Sequence, residues 1–375
     1  MREQKSIIEN KSIQIIIDLK FNVYRYNIIA YSILFAFMER PQLYNLEIER
    51  VSEEIRRRSA KRVLLQLPDG LRPQAFTLIG ALREQTGVEV LLTGDSCYGA
   101  CDVAFRQAEA LEADLIVHYG HSPMIPETRI PVLYVEARAE IEVTSLIESA
   151  LPLIQDWKTV GLAATVQHVH QIGDVAETLR SRKISAVIGK GGGRTTHDGQ
   201  VLGCDYRSAR EVADEADGFL FIGGGRFHPL GLALATGKTV VAADPYTLSV
   251  TVFGEKELKR LAMQRMAAIT AAKGAQRFGV LISTKPGQFD LSSAEAVCSK
   301  LEKQGREAAI ICLDEVRPET LANFSEAEAF INTACPRIAV DGLSDLRKPI
   351  LTVQEAYVLL GERRWEEVWG RSYLG

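Results

Sequence analysis

Residues 111–123 read LEADLIVHYGHSP, an apolar run that opens on Asp114 and closes on a glycine and a histidine. Residues 214–225, DEADGFLFIGGG, repeat the pattern with Asp217 in place of Asp114. A short apolar run bounded by turn formers reads as a buried strand. Cys101 lies 13 residues before Asp114, and Cys204 lies 13 residues before Asp217. Strand, acid and cysteine keep one register, so the chain repeats a structural unit.

Extending that register finds three units of strand candidates alternating with helical segments, the pattern of βαβ folds and parallel sheets. Unit one has strands at 62–67, 88–94, 113–120 and 131–137. Unit two has them at 159–165, 184–190, 217–225 and 239–245, and unit three at 277–284, 308–314, 328–335 and 349–356. An amphipathic helix falls between the first two strands of each unit. In DLSSAEAVCSKLEKQG, Ser292 with Glu295 resembles a capping box, and Ala294, Val297, Cys298 and Leu301 share one face. The expected fold is α/β: three repeated Rossmann-like domains, each a small parallel sheet with flanking helices, arranged around a common centre. The expected boundaries are 38–150, 151–265 and 266–375.

The third unit departs from the register. Its acid is Glu328, and 13 residues earlier stands Glu315 rather than a cysteine. Cys335 instead follows Glu328 by seven residues, where the other units have His121 and Gly224. Cys101, Cys204 and Cys335 thus all follow the carboxyl end of a strand, the edge where open α/β sheets bind ligands. Three such edges meeting could deliver one thiolate each. Zinc favours four ligands from short paired spacings, and no Cys-x2-Cys exists here. Three thiolates with a fourth position open suit a [4Fe–4S] cluster whose last iron binds substrate.

The loop GDSCYGACDVAF, residues 94–105, poses a separate question. Cys97 and Cys101 have the first spacing of a Cys-x3-Cys-x2-Cys cluster loop, but Ala104 stands at the third position. The place equivalent to Cys97 in unit two is Gln200, so the repeat gives Cys97 no partner. Cys298 reads as core from its helix face, and Cys312, inside AAIICLD, reads as core also. The glycine-rich loops GKGGGRTTHDGQ and FIGGGRFHPLG match neither GxGxxG nor a P-loop. They read either as tight turns or as the lining of a cofactor pocket. In the second case Gly223, Gly224, Gly225 and Arg226 take part, and Arg194 or Arg226 can meet a carboxylate. His121 is a further pocket candidate, while His118 reads as structural. His168 and His170 have spacing that could chelate a metal, but a helix start explains them equally well.

Composition narrows the function classes. With 44 basic and 48 acidic residues the net charge is −4, and no Lys/Arg run advertises nucleic acid. Six cysteines in 375 residues are too few for a disulfide scaffold, which favours a reducing cytoplasm. Residues 1–37 differ in composition, being rich in Ile, Asn and Tyr. Their longest uncharged run, residues 26–38, has 13 residues against the roughly 20 of a membrane span. The expectation is an over-extended or disordered N-terminus, with Met38 as the start and no membrane contact.

GDSCYGACD, ADLIVHYGHSP, GQVLGCDYR, FIGGGRFHPLGLAL and NTACPRIAVDG, in this order, resemble the archaeal diphthamide biosynthesis enzymes of the 2-(3-amino-3-carboxypropyl)histidine synthase family. The similarity covers residues 45–375. It implies a homodimer with a [4Fe–4S] cluster held by Cys101, Cys204 and Cys335, and S-adenosylmethionine as co-substrate. The implied reaction breaks the bond from sulfur to the methionine γ-carbon. The 3-amino-3-carboxypropyl group goes to carbon 2 of a histidine imidazole in translation elongation factor two, and methylthioadenosine leaves. An electron donor is implied but not identified. The related eukaryotic motif, Thr-Tyr-Gly-Ala-Cys, makes Cys97 the dispensable cysteine. Quinolinate synthase, a condensing and dehydrating enzyme, shares three α/β domains with one cluster cysteine each and is the closest rival. A zinc-stabilised binding protein is the non-enzymatic alternative.

Overall fold

All three units form sheets with one strand order. In the first, β1 (Arg62–Gln66), β2 (Glu89–Leu92), β3 (Leu115–Tyr119) and β4 (Val132–Val135) lie parallel in the order β2-β1-β3-β4. In the second, β5 (Thr159–Ala164), β6 (Ser185–Val187), β7 (Gly218–Ile222) and β8 (Val240–Asp244) follow the same order. A further strand, β9 (Ser249–Phe253), adds antiparallel to β8. In the third, β10 (Arg277–Ser283), β11 (Glu307–Leu313), β12 (Ala329–Asn332) and β13 (Ile350–Thr352) repeat the order. The computed structural model describes residues 43–126, 129–343, 346–370 and 373, and the expectations for residues 1–37 and Met38 lie outside them. The described residues from Tyr44 onward form one compact unit. No helix among the described residues is long and apolar enough to cross a membrane.

The sheets are covered on both faces, as parallel sheets must be. Val63, Leu65 and Val117 pack on one face of the first sheet, while Leu64 and Ile116 pack on the other with Ala108. This is the period-two alternation of side chains along a strand. Helices between the first two strands, Ala75–Thr86, Ile172–Ser181 and Leu291–Lys303, supply the covering layers. The expected boundary near 150 falls inside the helix Thr144–Ile154, whose Leu146 and Ile147 pack with β5 residues Val160 and Leu162. The expected boundary near 265 falls inside the helix Glu255–Ala272. Arg265 on that helix is buried in the third unit. It is paired with Glu355 at 2.7 Å and donates to Ile350 O at 2.6 Å.

Two local expectations are corrected. The helix Leu291–Lys303 is capped by Asp290, whose carboxylate accepts from Ser293 N at 3.0 Å, so Ser292 and Glu295 form no capping box. The helix starts two residues earlier than the sequence pattern suggested, and Asp is a strong N-cap. Cys312 is exposed rather than core because β11 is the outer strand of its sheet. Cys298 is buried as expected.

The acids that set the repeat register have a shared structural job. Asp114 Oδ2 accepts from Lys61 N at 2.7 Å and Arg62 N at 2.8 Å, where β1 begins. Asp217 Oδ2 accepts from Lys158 N at 2.6 Å and Thr159 N at 2.9 Å, where β5 begins. Glu328 accepts from Gln276 N at 2.6 Å, just before β10. Each third strand thus starts by holding the amides that open its neighbouring first strand. These backbone hydrogen bonds hold all three carboxyls below their ordinary range. A depressed pKa stabilises the fold above the unfolded value and loses that contribution as pH falls through the folded value. In an Asp114→Asn, Asp217→Asn, Glu328→Gln variant, thermal unfolding should drop at pH 7, and the gap to wild type should close below about pH 4. A gap that stays constant between pH 7 and pH 3 would contradict this account.

Candidate metal centre

The strand order reverses direction between the first and third strands of each sheet. That is the switch point where a crevice opens at the carboxyl edge. A cavity of about 400 Å³ lies there and is lined by residues from all three units. Pro68 follows β1 and His121 follows β3; Thr165 follows β5 and Gly224 follows β7; Cys335 follows β12. Cys101, Cys204 and Cys335 all line it. His121 and Gly224, the register equivalents of Cys335, line it too.

Each thiol is set by its own loop. Cys101 sits in a turn closed by Asp102 N donating to Gly99 O at 2.9 Å. The Asp102 carboxylate forms a buried ion pair with Lys285 at 2.6 Å, and the Lys285 ammonium lies over the Tyr98 ring. Gly287 N donates to Cys101 O at 2.8 Å. The third unit therefore grips the first at the residue that carries the thiol. Glu315, which replaces a cysteine in the repeat register, accepts from Tyr98 Oη at 2.6 Å and steadies the same loop. The Cys204 loop is held by the buried Asp205, which accepts from Arg194 N at 3.1 Å and Arg207 N at 3.0 Å. Cys204 lies close enough to the Arg194 guanidinium to hold it above its ordinary range. Cys335 follows β12, where Asn332 Nδ2 donates to Cys335 O at 2.9 Å. Arg337, two residues on, stacks over Phe227 at 4.7 Å, and both line the cavity.

Burial raises the Cys101 and Cys335 thiols, Cys335 to about 11, and the neighbouring cysteines add to both effects. Three cysteines that meet at one cavity, each from a different sheet, suit a cationic cluster that takes three thiolates. Cys97 is buried beside His118 and His121 rather than on the cavity wall. The donor atoms of these three residues lie within 4.8 Å of one another. Burial, then Asp102 and Cys101, push the Cys97 thiol up to about 12.

The two histidines belong to a fixed hydrogen-bond chain. Gln66 Nε2 donates to Asp102 O at 2.6 Å, and Gln66 Oε1 accepts from Ala104 N at 3.1 Å. Those backbone partners fix the amide, so the 2.8 Å contact from His118 Nδ1 to Gln66 Oε1 makes His118 the donor. His118 Nε2 then accepts from His121 Nδ1 at 3.0 Å. Burial holds both rings neutral, pulling His121 down to about 4. His121 Nε2 is left as an acceptor beside the Gly99–Cys101 turn. Sequence reasoning gave His118 a structural role but could not see that it sets the tautomer of His121.

The other candidates are dispersed. Gly223 is buried and Gly225 is exposed, with its N–H on Asp244 at 3.1 Å, and neither lines the cavity. Exposed Arg226 lies over Phe253 at 5.2 Å, away from the cavity wall. His168 is buried and bonded to Gln171 and to Tyr246 Oη, each at 3.0 Å, and holds Tyr246 at the cavity. Sequence reasoning missed Tyr44, Gln167, Tyr246 and Arg337 as cavity residues; Arg337 lies within NTACPRIAVDG, and the other three carry no local motif.

The sequence profile of a family described as "Putative diphthamide synthesis protein" matches residues 67–370. The chain is 39% identical over 335 residues to a 2-(3-amino-3-carboxypropyl)histidine synthase of Pyrococcus horikoshii, covering 88% of this chain and 95% of that one. It is 31% identical to subunit 1 of the Homo sapiens 2-(3-amino-3-carboxypropyl)histidine synthase, covering 89% of this chain and 76% of that one. Among solved structures, it resembles Dph2 from Pyrococcus horikoshii with a 4Fe-4S cluster. The TM-score is 0.79 at 39% identity, over 86% of this chain and 92% of that chain.

The grip on Cys101 leaves no room for a larger residue at 287. A Cβ on Gly287 would lie 2.6 Å from both Cα and Cβ of Cys101. Gly287→Ala should destabilise the fold by about 1–3 kcal/mol through overpacking. Gly274→Ala, with nothing within 4 Å, should be close to neutral. Equal unfolding midpoints for the two variants would refute the close approach.

Proposed function

Since the chain belongs to the diphthamide synthesis family, we propose that it transfers the 3-amino-3-carboxypropyl group of S-adenosylmethionine to carbon 2 of a histidine imidazole, the first step of diphthamide formation. It is a transferase that uses a [4Fe–4S] cluster. Cys101, Cys204 and Cys335 are its ligands in this reading. The observation that carries it is a single cavity lined by one cysteine from each of three sheets. A match over residues 67–370 leaves no ground for the quinolinate-synthase-like or zinc-scaffold alternatives.

Bound to the three thiolates, the cluster supplies a one-electron reductant and an open iron for the methionine moiety. The protein's own residues orient and shield. Arg194, beside Cys204, offers a guanidinium to the co-substrate carboxylate. His121 Nε2 offers a lone pair to its ammonium, because the Gln66–His118 chain leaves that nitrogen unprotonated. Phe227, Tyr246 and Met124 supply apolar wall that keeps water from the reacting carbon. Gly224 sits under Tyr246, where a Cβ would lie 2.8 Å from the ring. Gly223, Gly225 and Arg226 complete the loop that carries Gly224 and are assigned to shaping this wall.

The full reading adds a homodimer in the cytoplasm. Its protein substrate is translation elongation factor two, and its electron donor delivers single low-potential electrons. The three sheets correspond to three domains of one repeated architecture.

The test is a cysteine series. Cys101→Ala, Cys204→Ala and Cys335→Ala, reconstituted anaerobically with iron and sulfide, should each lose the stable cluster or all production of methylthioadenosine with elongation factor two. Cys97→Ala should keep most of both. Loss of the cluster on changing Cys97 alone would overturn the assignment.

A further inference from the structure

Three sulfurs line the cavity. The Arg194 guanidinium lies near Cys204. Cys101 is met by a neutral side chain from another sheet: Gln288 Nε2 donates to Cys101 Sγ at 3.3 Å. That amide does not arrive by chance packing. Lys285 anchors its turn through the ion pair to Asp102 at 2.6 Å. Gln288 N donates to Lys285 O at 3.0 Å and closes the turn. Gly287 N donates to Cys101 O at 2.8 Å, and Gly287 packs so closely that no side chain fits there. Gln288 is half-buried.

We propose that Gln288 is a positioning residue that sets the reduction potential of the cluster through an N–H···S hydrogen bond to Cys101. This rests on the reading of Cys101 as a ligand. A ligand thiolate carries no proton and can only accept, so the donating –NH2 of Gln288 suits the loaded state. One-electron reduction adds negative charge that is shared with the thiolate sulfurs. A donor on sulfur stabilises the reduced form and raises the potential. The third unit would thus tune the electron chemistry of a ligand held by the first. The same turn that positions Cys101 would also decide how strongly reducing the centre is.

The experiment compares wild type, Gln288→Leu and Gln288→Glu, each reconstituted anaerobically and titrated with dithionite in the presence of mediators. The midpoint potential is read from the electron paramagnetic resonance signal of the reduced cluster, and iron content is measured in parallel. Both variants should retain wild-type iron. Gln288→Leu, which removes the donor, should shift the potential negative. Gln288→Glu, which sets a carboxylate against the sulfur, should shift it further. An unchanged or more positive potential in Gln288→Leu overturns the proposal. If that variant holds no cluster, Gln288→Glu gives the reading. Loss of the cluster in both also overturns it, because a tuning donor is not needed for assembly. A Cys101→Ala protein that keeps a full cluster with an unaltered spectrum would instead refute the ligand reading beneath it.

Discussion

The buried ion pair between Lys285 and Asp102 couples the first and third sheets at the point where the candidate metal centre is built. Both side chains are nearly inaccessible, so neither charge can be satisfied by water if the other is removed. The pair costs desolvation and returns geometry. It fixes the turn that carries Gly287 and Gln288 against Cys101, and it orders Tyr98 through the ammonium over its ring. A cysteine from one sheet can then face a cysteine from another across a single cavity. Without this registration the three strand edges would present three unrelated loops.

The chemistry of the cavity follows from what surrounds the thiols. Ordinary cluster loops place three cysteines on one short segment, so the loop fixes the geometry. In the proposed reading each loop supplies one, and relative placement of the sheets replaces loop geometry. On that reading Ala104 is no defect in GDSCYGACDVAF. It also explains why Cys97, though only four residues from Cys101, is packed behind the wall beside His118 and His121. The Gln66–His118–His121 chain shows the same economy. Two backbone groups fix one amide, the amide fixes one imidazole, and that imidazole fixes the next. The result is an acceptor nitrogen of defined state at the cavity, set by neutral groups alone.

Much of this was legible in the sequence, for a physical reason. Asp114, Asp217 and Glu328 must stand where they do to hold the first amides of β1, β5 and β10, and that local constraint made the register visible. Once it was visible, Cys101 and Cys204 fell at matched places, and Cys335 aligned with His121 and Gly224. What stayed hidden depends on tertiary contact. Cys312 lies in an apolar run, yet its strand is outermost and the side chain is exposed. β9 is short and half polar, and its pairing with β8 is set by the turn between them. The partnership of Lys285 with Asp102 spans 183 residues and leaves no local mark. Arg226 looked suited to a carboxylate beside its glycines, but the ring of Phe253 holds it elsewhere.

The central claim is that one iron–sulfur cluster is held by one thiolate from each sheet. The most direct measurement is an anaerobic crystal structure of the reconstituted protein with diffraction recorded at the iron absorption edge. The account predicts iron density bonded to Cys101, Cys204 and Cys335, with one iron free of any protein sulfur. Iron bonded to Cys97 in place of any of these three, or zinc among Cys97, His118 and His121 with the cavity free of iron, would contradict it.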